Sequence, residues 1–438
     1  MTPTWRDKTI PNIFVSFIII FFILLCIRVP VAFSIAIGAL SFFIIDGGIP
    51  TYIFVQRLIS PTLSFPLLAV PFFIMTGVIM NHSGITRRIM NLADVLVGHL
   101  VGGFAQINIL MSTLMGGMSA SANADAAMQS KIVVPEMTKR NYGAGFSASI
   151  TACSAIIAAI IPPGIALVLY GFISGTSIGK LFLAGILPGI LLSVLLMMTV
   201  RFMSFKYNYA PSRIKKATSK EIIKASYEAF FGLLIPIIIV GGIRFGVFTP
   251  TEAGAIAVAY SLFIGFFVHK ELKIKSLPIV INESVIATSV ILLIICAASS
   301  FGYYLTWERI PVILAEFMTE ISNNPIILLL IINIFLLILG MFVEGTAALI
   351  LLTPILVPIA KSFGIDPVHF GIILILNLSI AGATPPVGTL MFTTCSISNV
   401  KIEDYIKEGY PFIIATILAL LLITYFPIIS MLLPNLLM

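Results

Sequence analysis

The stretch Gly116–Met137 reads GGMSASANADAAMQSKIVVPEM, a cluster of small polar residues set between two apolar half-spans. The apolar span that follows is interrupted in its middle by Ile160-Ile161-Pro162-Pro163-Gly164. In a water-soluble chain these would be a loop and a kinked helix. In an apolar chain they mean more, because backbone leaves helical pairing at membrane depth only where it is buried in protein or lines a cavity. Discontinuous helices at that depth are where secondary transporters place substrates and coupling ions.

Composition supports the membrane setting. The chain has 438 residues, 59% hydrophobic and 10% charged, with a mean hydropathy of +1.13, against about 25% charged in a typical soluble domain. The net charge of +7 sits in a few short loops, as the excess of Lys and Arg on one side of membrane proteins predicts. No basic face carries base-reading residues, so nucleic acid is not an expected partner. Cys26, Cys153, Cys296 and Cys395 are far apart in apolar spans and read as packing residues. The scattered histidines lack metal-ligand spacing. No HExxH, GxSxG or phosphate loop appears, which leaves an intramembrane enzyme only isolated carboxylates.

A span needs roughly 20 apolar residues. On that rule the first half reads as spans at 10–27, 29–45 and 63–80, with a short segment at 52–60 that need not cross. Residues 86–100 put Arg87, Arg88 and Asp94 opposite Ile89, Leu92 and Leu96, as in an interfacial amphipathic helix. A hairpin at 103–138, a broken span at 143–175 and a span at 181–202 follow. After the basic connector 204–228 the order recurs: spans at 229–247, 252–268 and 285–305, an amphipathic piece at 309–322, a hairpin at 324–361, a broken span at 367–398 and a span at 410–433.

An ungapped shift of 223 residues carries Gly117-Met118 onto Gly340-Met341, Pro135 onto Pro358, Pro162-Pro163 onto Pro385-Pro386 and Pro188 onto Pro411. Each half makes five crossings, an odd number, so the second half would insert upside down. The expected fold is an all-α polytopic membrane protein of two inverted repeats, each with one re-entrant hairpin and one broken helix. The basic connector places itself in the cytoplasm and both termini outside, although Arg6 and Lys8 then fall on the less favoured side.

Candidate site residues lie at tips and breaks. Ser119, Ser121 and Asn123 offer side-chain oxygens, and Ala120 and Ala122 allow close backbone approach. A broken helix exposes carbonyls that suit a monovalent cation and N–H groups that suit a carboxylate. Asp125 lies one turn beyond the tip, as either a sodium ligand or a cap of the second arm. Pro162 and Pro163 free the carbonyls of the turn before them, around Ala158–Ile161. The second tip, Gly340-Met341-Phe342-Val343-Glu344-Gly345-Thr346, supplies oxygens from Glu344 and Thr346, with Gly340 and Gly345 permitting the turn. The shift of 223 matches Glu344 to Ser121. Asn377, Ser379, Thr384, Thr389 and Thr393 add polar groups around the second break. Against these roles stands simple packing, since small residues also let hairpin arms approach closely.

The stretches MSASANAD (118–125), IIPPGIALVLYGFISGTSIGKLFLAGILPG (160–189), TPTEAGAIAVAY (249–260), GMFVEGTAALILLTPILVPIA (340–360) and GATPPVGTLMF (382–392) resemble the large membrane subunit of TRAP (tripartite ATP-independent periplasmic) transporters. The resemblance runs from about residue 65 to the C-terminus. It implies an elevator transporter driven by a sodium gradient, importing a carboxylate such as a C4-dicarboxylate, sugar acid or 2-oxoacid. It also implies two partners: a small four-helix membrane subunit, expected as a separate chain, and a periplasmic solute-binding protein. The chain departs from the family pattern at Gly164, where a serine is common, at Ala158-Ala159, at Ala120, and at Glu344, where aspartate is frequent.

The combined expectation is a scaffold of residues 1–81 and 229–305, and a mobile transport domain of residues 103–203 and 324–438. The amphipathic helices 86–100 and 309–322 would link them. Sodium is expected near Ser119, Ser121, Asp125, Ala158 and Ile161, and near Gly340, Glu344, Gly345, Thr346 and Thr384. Substrate is expected at Ser121, Asn123, Gly164, Glu344, Thr346 and Thr389, with no other cofactor. The alternative is a standalone sodium- or proton-coupled carboxylate carrier of similar hairpin architecture, needing no binding protein.

Overall fold

The computed structural model describes residues 12–45, 50–119 and 121–438. Arg6, Lys8, the first two residues of the first span and Ala120 lie outside the described residues. Among the described residues the chain is helical, with no strand. Seven helices among the described residues are long and apolar enough to cross a membrane, or nine if two sharply bent pairs each count as one span. One bent pair is Ala144–Ile160 with Ile165–Ser174, at 44°, the first broken span. The other, at 117°, joins the amphipathic Ile310–Ile321 to Pro325–Gly340.

The hairpins form where polar residues interrupt the apolar pattern. The first consists of Gly103–Ser119 and Ala122–Lys139, the second of Pro325–Gly340 and Gly345–Ser362. Adding 223 to Ala122–Lys139 gives Gly345–Ser362. At both breaks the peptide between the paired prolines is cis: Pro162-Pro163 and Pro385-Pro386. The second broken span runs as Pro367–Gly382 and Thr389–Ser398. Gly388 is required in the intervening turn, because a Cβ there would sit 2.6 Å from the Thr384 carbonyl oxygen.

Helix Ala144–Ile160 lies at the centre of the molecule, with Gly145 to Ile160 all buried. It packs against both arms of the first hairpin, Pro367–Gly382 and Ile402–Tyr425. Its alanines and serines keep it thin enough for such close neighbours. Its N-terminus is satisfied from the other half of the chain, since the Phe146 N–H donates to Glu408 Oε2 at 2.5 Å. Elsewhere Ala69–His82 packs on Pro250–Phe263, and Leu277–Trp307 on Val31–Ile45.

Several helices outrun the windows read from hydropathy. Ile178–Tyr207 and Ser219–Arg244 both extend into 204–228, leaving residues 208–218 as the non-helical link. Lysine is a good helix former, so the helix continues past the end of its apolar window. Thr218 and Glu221 form a capping box that starts the second of these helices. Likewise Leu277–Trp307 begins eight residues before the expected span at 285–305. The last span begins earlier, at Ile402, and breaks into Ile402–Tyr425 and Ile428–Leu437 at Pro427, where the ring removes a helix donor.

Candidate functional site

The two hairpin tips and the two broken spans meet at one cavity of about 100 Å³. Ser121, Ala122 and Asn123 line it from the first tip, and Glu344, Gly345 and Thr346 from the second. Ile165 and Ala166 come from the first broken span, Thr389 and Leu390 from the second. Each group opens a helix: Ala122–Lys139, Gly345–Ser362, Ile165–Ser174 and Thr389–Ser398. Four helix N-termini therefore converge on one space. Each contributes unpaired backbone N–H groups and the positive end of its dipole, which together favour an anion. Among the described residues no lysine or arginine lines the cavity.

The two tips are capped alike. Ser121 Oγ accepts the Ala124 N–H at 3.5 Å, and Glu344 Oε2 accepts the Ala347 N–H at 2.8 Å. Thr346 Oγ1 donates to Glu344 Oε1 at 2.9 Å, so both carboxylate oxygens have a donor. The other two N-termini begin at Gly164 and Gly388, neither of which supplies a side-chain cap. Their first N–H groups stay free for a ligand. Asn123 Oδ1 is buried with no hydrogen-bond partner among the described residues. A buried acceptor in that state costs about 1–3 kcal/mol, a cost that a bound cation would offset.

Of the expected substrate residues, Ser121, Asn123, Glu344, Thr346 and Thr389 line the cavity, and Gly164 stands just before Ile165 at its wall. Among the expected sodium neighbours, Ser121, Glu344, Gly345 and Thr346 line it as well. Gly340, Thr384, Ala158 and Ile161 are not among the residues that line it. The side chain of Ser119 is not described. Gly340 lets its hairpin approach the broken span, where a Cβ would lie 2.7 Å from Ala381 Cβ. Thr384 Oγ1 donates back to the Ile380 carbonyl at 2.7 Å. Ala158 and Ile161 press on Gly116 of the first hairpin.

Asp125 is neither a cap nor a cavity residue. It is fully buried between the hairpin arms, where Oδ2 accepts from Ser112 Oγ at 2.7 Å and from Gln129 Nε2 at 2.7 Å. Its Oδ1 has no partner among the described residues.

Sequence reasoning did not single out Ile291, which also lines the cavity. Ile291 brings the helix Leu277–Trp307 to the site, and nothing in an apolar run sets that isoleucine apart. It also missed a buried polar chain in the second half. Asn377 Nδ2 donates to Asn333 Oδ1 at 2.8 Å, and Asn333 Nδ2 to Thr424 Oγ1 at 3.1 Å. His369 continues it to the Thr424 carbonyl at 3.2 Å and to Ser430 Oγ at 2.7 Å. The available signal was asparagine inside an apolar helix, which must find a partner.

A helical membrane chain with a central cavity ringed by helix N-termini has the form of a membrane permease. Its sequence matches the family model described as "Tripartite ATP-independent periplasmic transporter, DctM component" over residues 18–429. The sialic acid TRAP transporter large permease protein SiaM of Vibrio cholerae is 41% identical over 94% of this chain and 96% of its own length. The C4-dicarboxylate TRAP transporter large permease protein DctM of Pseudomonas aeruginosa is 37% identical, over 86% and 88%. The solved structure of Neisseria gonorrhoeae MtrF, described with a class of antimetabolite efflux pumps, superposes with a TM-score of 0.56 at 13% identity, over 95% of this chain and 96% of that one. That likeness concerns the fold alone. The chain belongs to the large permease (DctM) family of TRAP transporters. It is a multi-pass membrane transport protein, and its relatives are permeases rather than enzymes.

Proposed function

We propose that this chain imports an organic acid driven by a sodium gradient, taking the substrate from a periplasmic solute-binding protein and working with a small membrane subunit. The convergence of four helix N-termini without a basic side chain carries the reading. Helix termini hold a carboxylate without a fixed counter-charge, so the empty site is not locked by an internal ion pair. The free N–H groups after Gly164 and Gly388 bind the carboxylate, and Thr389 adds a hydroxyl at the same wall. Sodium is cargo, held by Asn123 Oδ1, Ser121, Glu344 and carbonyls at the breaks. Neutral oxygens with one carboxylate suit a hard cation. The names of relatives, sialic acid in one and C4-dicarboxylate in another, support an organic acid as substrate class.

The matching hairpin bounds and the two double-proline breaks support two inverted repeats. In that arrangement residues 1–81 and 229–305 form the scaffold, and 103–203 with 324–438 the moving domain of an elevator. Filling the site neutralises its polar tips, which lowers the cost of carrying them past an apolar barrier.

Two measurements test the proposal. Uptake into proteoliposomes with the partner subunits should follow an imposed sodium gradient; full uptake under a proton gradient without sodium sinks the coupling ion. Full uptake by this chain alone would instead favour a standalone carrier. For orientation in the inner membrane, a single cysteine at position 215 should be labelled only from the cytoplasm, with both termini periplasmic. Labelling of intact cells by an impermeant reagent at that position inverts the topology.

A further inference from the structure

The amphipathic helix Ile85–Val97 is tied at each end to a different basic loop. Near its start, Arg88 Nη1 and Arg87 Nη2 donate to Glu271 Oε1 at 2.8 and 3.0 Å. Near its end, Asp94 Oδ2 accepts from Arg213 Nε at 2.7 Å, and Asp94 Oδ1 from Ser212 Oγ at 2.7 Å. The backbone agrees, since the Arg213 N–H donates to the Gly98 carbonyl at 3.0 Å. Gly84 is needed for the first tie: its φ is +72°, and a Cβ there would collide with the Glu271 carboxylate.

One helix of 13 residues, about 20 Å long, thus holds residues 208–218 and 269–276 at the same end of the molecule. Both loops connect membrane-spanning helices, so both lie at the same membrane surface. Each repeats one pattern. Ile214, 101% exposed, lies between Arg213 and Lys215, with Lys216 next; Ile274, 77% exposed, sits between Lys273 and Lys275. All four lysines are exposed, and none joins an ion pair among the described residues. His269 adds no charge, because burial and the nearby Arg88 hold its imidazole below the usual value.

We infer that these two loops form a paired binding site for anionic phospholipid, which pins both ends of the amphipathic helix to the membrane surface. The lysines meet headgroup phosphates, and the isoleucines enter the acyl boundary beneath them. A wholly exposed isoleucine beside lysines has no use for a soluble anion, but it fits an interface that is charged above and apolar below. The consequence is mechanical. The helix that would link scaffold and transport domain is fastened to lipid at both ends, so leaflet charge sets how freely it tilts. The inference rests on the membrane-spanning family assignment and is independent of sodium coupling.

The test uses the purified full-length chain, stripped of lipid in neutral detergent and titrated with phosphatidylglycerol or phosphatidylcholine. Bound lipids are counted by native mass spectrometry. Phosphatidylglycerol should bind about tenfold or more tightly, given about fivefold per lysine at an anionic surface. Lys215→Gln with Lys216→Gln, and Lys273→Gln with Lys275→Gln, should each remove part of that preference, and both pairs together most of it. Equal binding of the two lipids overturns the inference, as does undiminished preference in the quadruple variant. Glycerol phosphate competing as well as the lipid would make this a soluble-anion site and also end the lipid assignment. If the variants unfold, the comparison of the two lipids on the unaltered chain still decides.

Discussion

Replacing Asn123 by leucine is expected to raise the sodium concentration for half-maximal uptake roughly 5- to 150-fold, the equivalent of about 1–3 kcal/mol. The same change should leave the sodium-free protein at least as stable. Both expectations come from one atom, Asn123 Oδ1, which is buried at the first tip without a partner. If that oxygen is a cation ligand, leucine keeps the volume and deletes the ligand. In the absence of sodium the native oxygen is an uncompensated acceptor, so removing it relieves a cost. Thermal unfolding measured with and without sodium, beside uptake in proteoliposomes, separates the two effects. An Asn123→Leu protein with unchanged sodium dependence would return that residue to plain packing of the tip. Ser121 is a weaker probe, because its hydroxyl already caps the helix at 3.5 Å and alanine would remove cap and ligand together.

Asp125→Leu should produce the larger loss of stability. Two donors, Ser112 Oγ and Gln129 Nε2, end on Asp125 Oδ2 inside the hairpin. Leucine leaves both without that acceptor. Hydrogen bonds between membrane helices average about 0.6 kcal/mol, but those to a charged group are worth about 1.5–3 kcal/mol each. The carboxylate therefore governs the outcome, and an appreciable drop in melting temperature is expected. Asp125→Asn keeps one acceptor and should restore much of the stability. It should not restore sodium-driven uptake if the unpartnered Oδ1 balances a cation at the neighbouring tip. Wild-type uptake by the asparagine variant would make Asp125 a rivet between the two arms and nothing more.

Much of this architecture could be read from the chain. Polar residues at 119–123 and 344–346 cannot stay in lipid-facing helix, so they had to be tips. Paired prolines at 162–163 and 385–386 had to be breaks, because each ring deletes a backbone donor. Local chemistry of that kind is independent of neighbours, and the helices end at Ile160 and Gly382, just short of those breaks. Helix ends in the loops were less legible: hydropathy marks where apolar sequence stops, whereas a helix continues through lysine and glutamate until a cap or proline ends it.

Direction was decided by tertiary packing alone. Asp125 and Asn123 are two residues apart, yet one faces the inside of the hairpin and the other the cavity. Thr384 and Thr389 flank the same break, and only Thr389 reaches the site. An apolar helix such as Pro367–Gly382 or Leu277–Trp307 carries almost no amphipathic pattern, so its sequence does not say which face meets protein and which meets lipid. Ile291 became a wall of the cavity only because its helix was packed against the second hairpin. The convergence of four helix N-termini was likewise invisible in the chain, since it depends on where separate helices start in space rather than on the residues that start them.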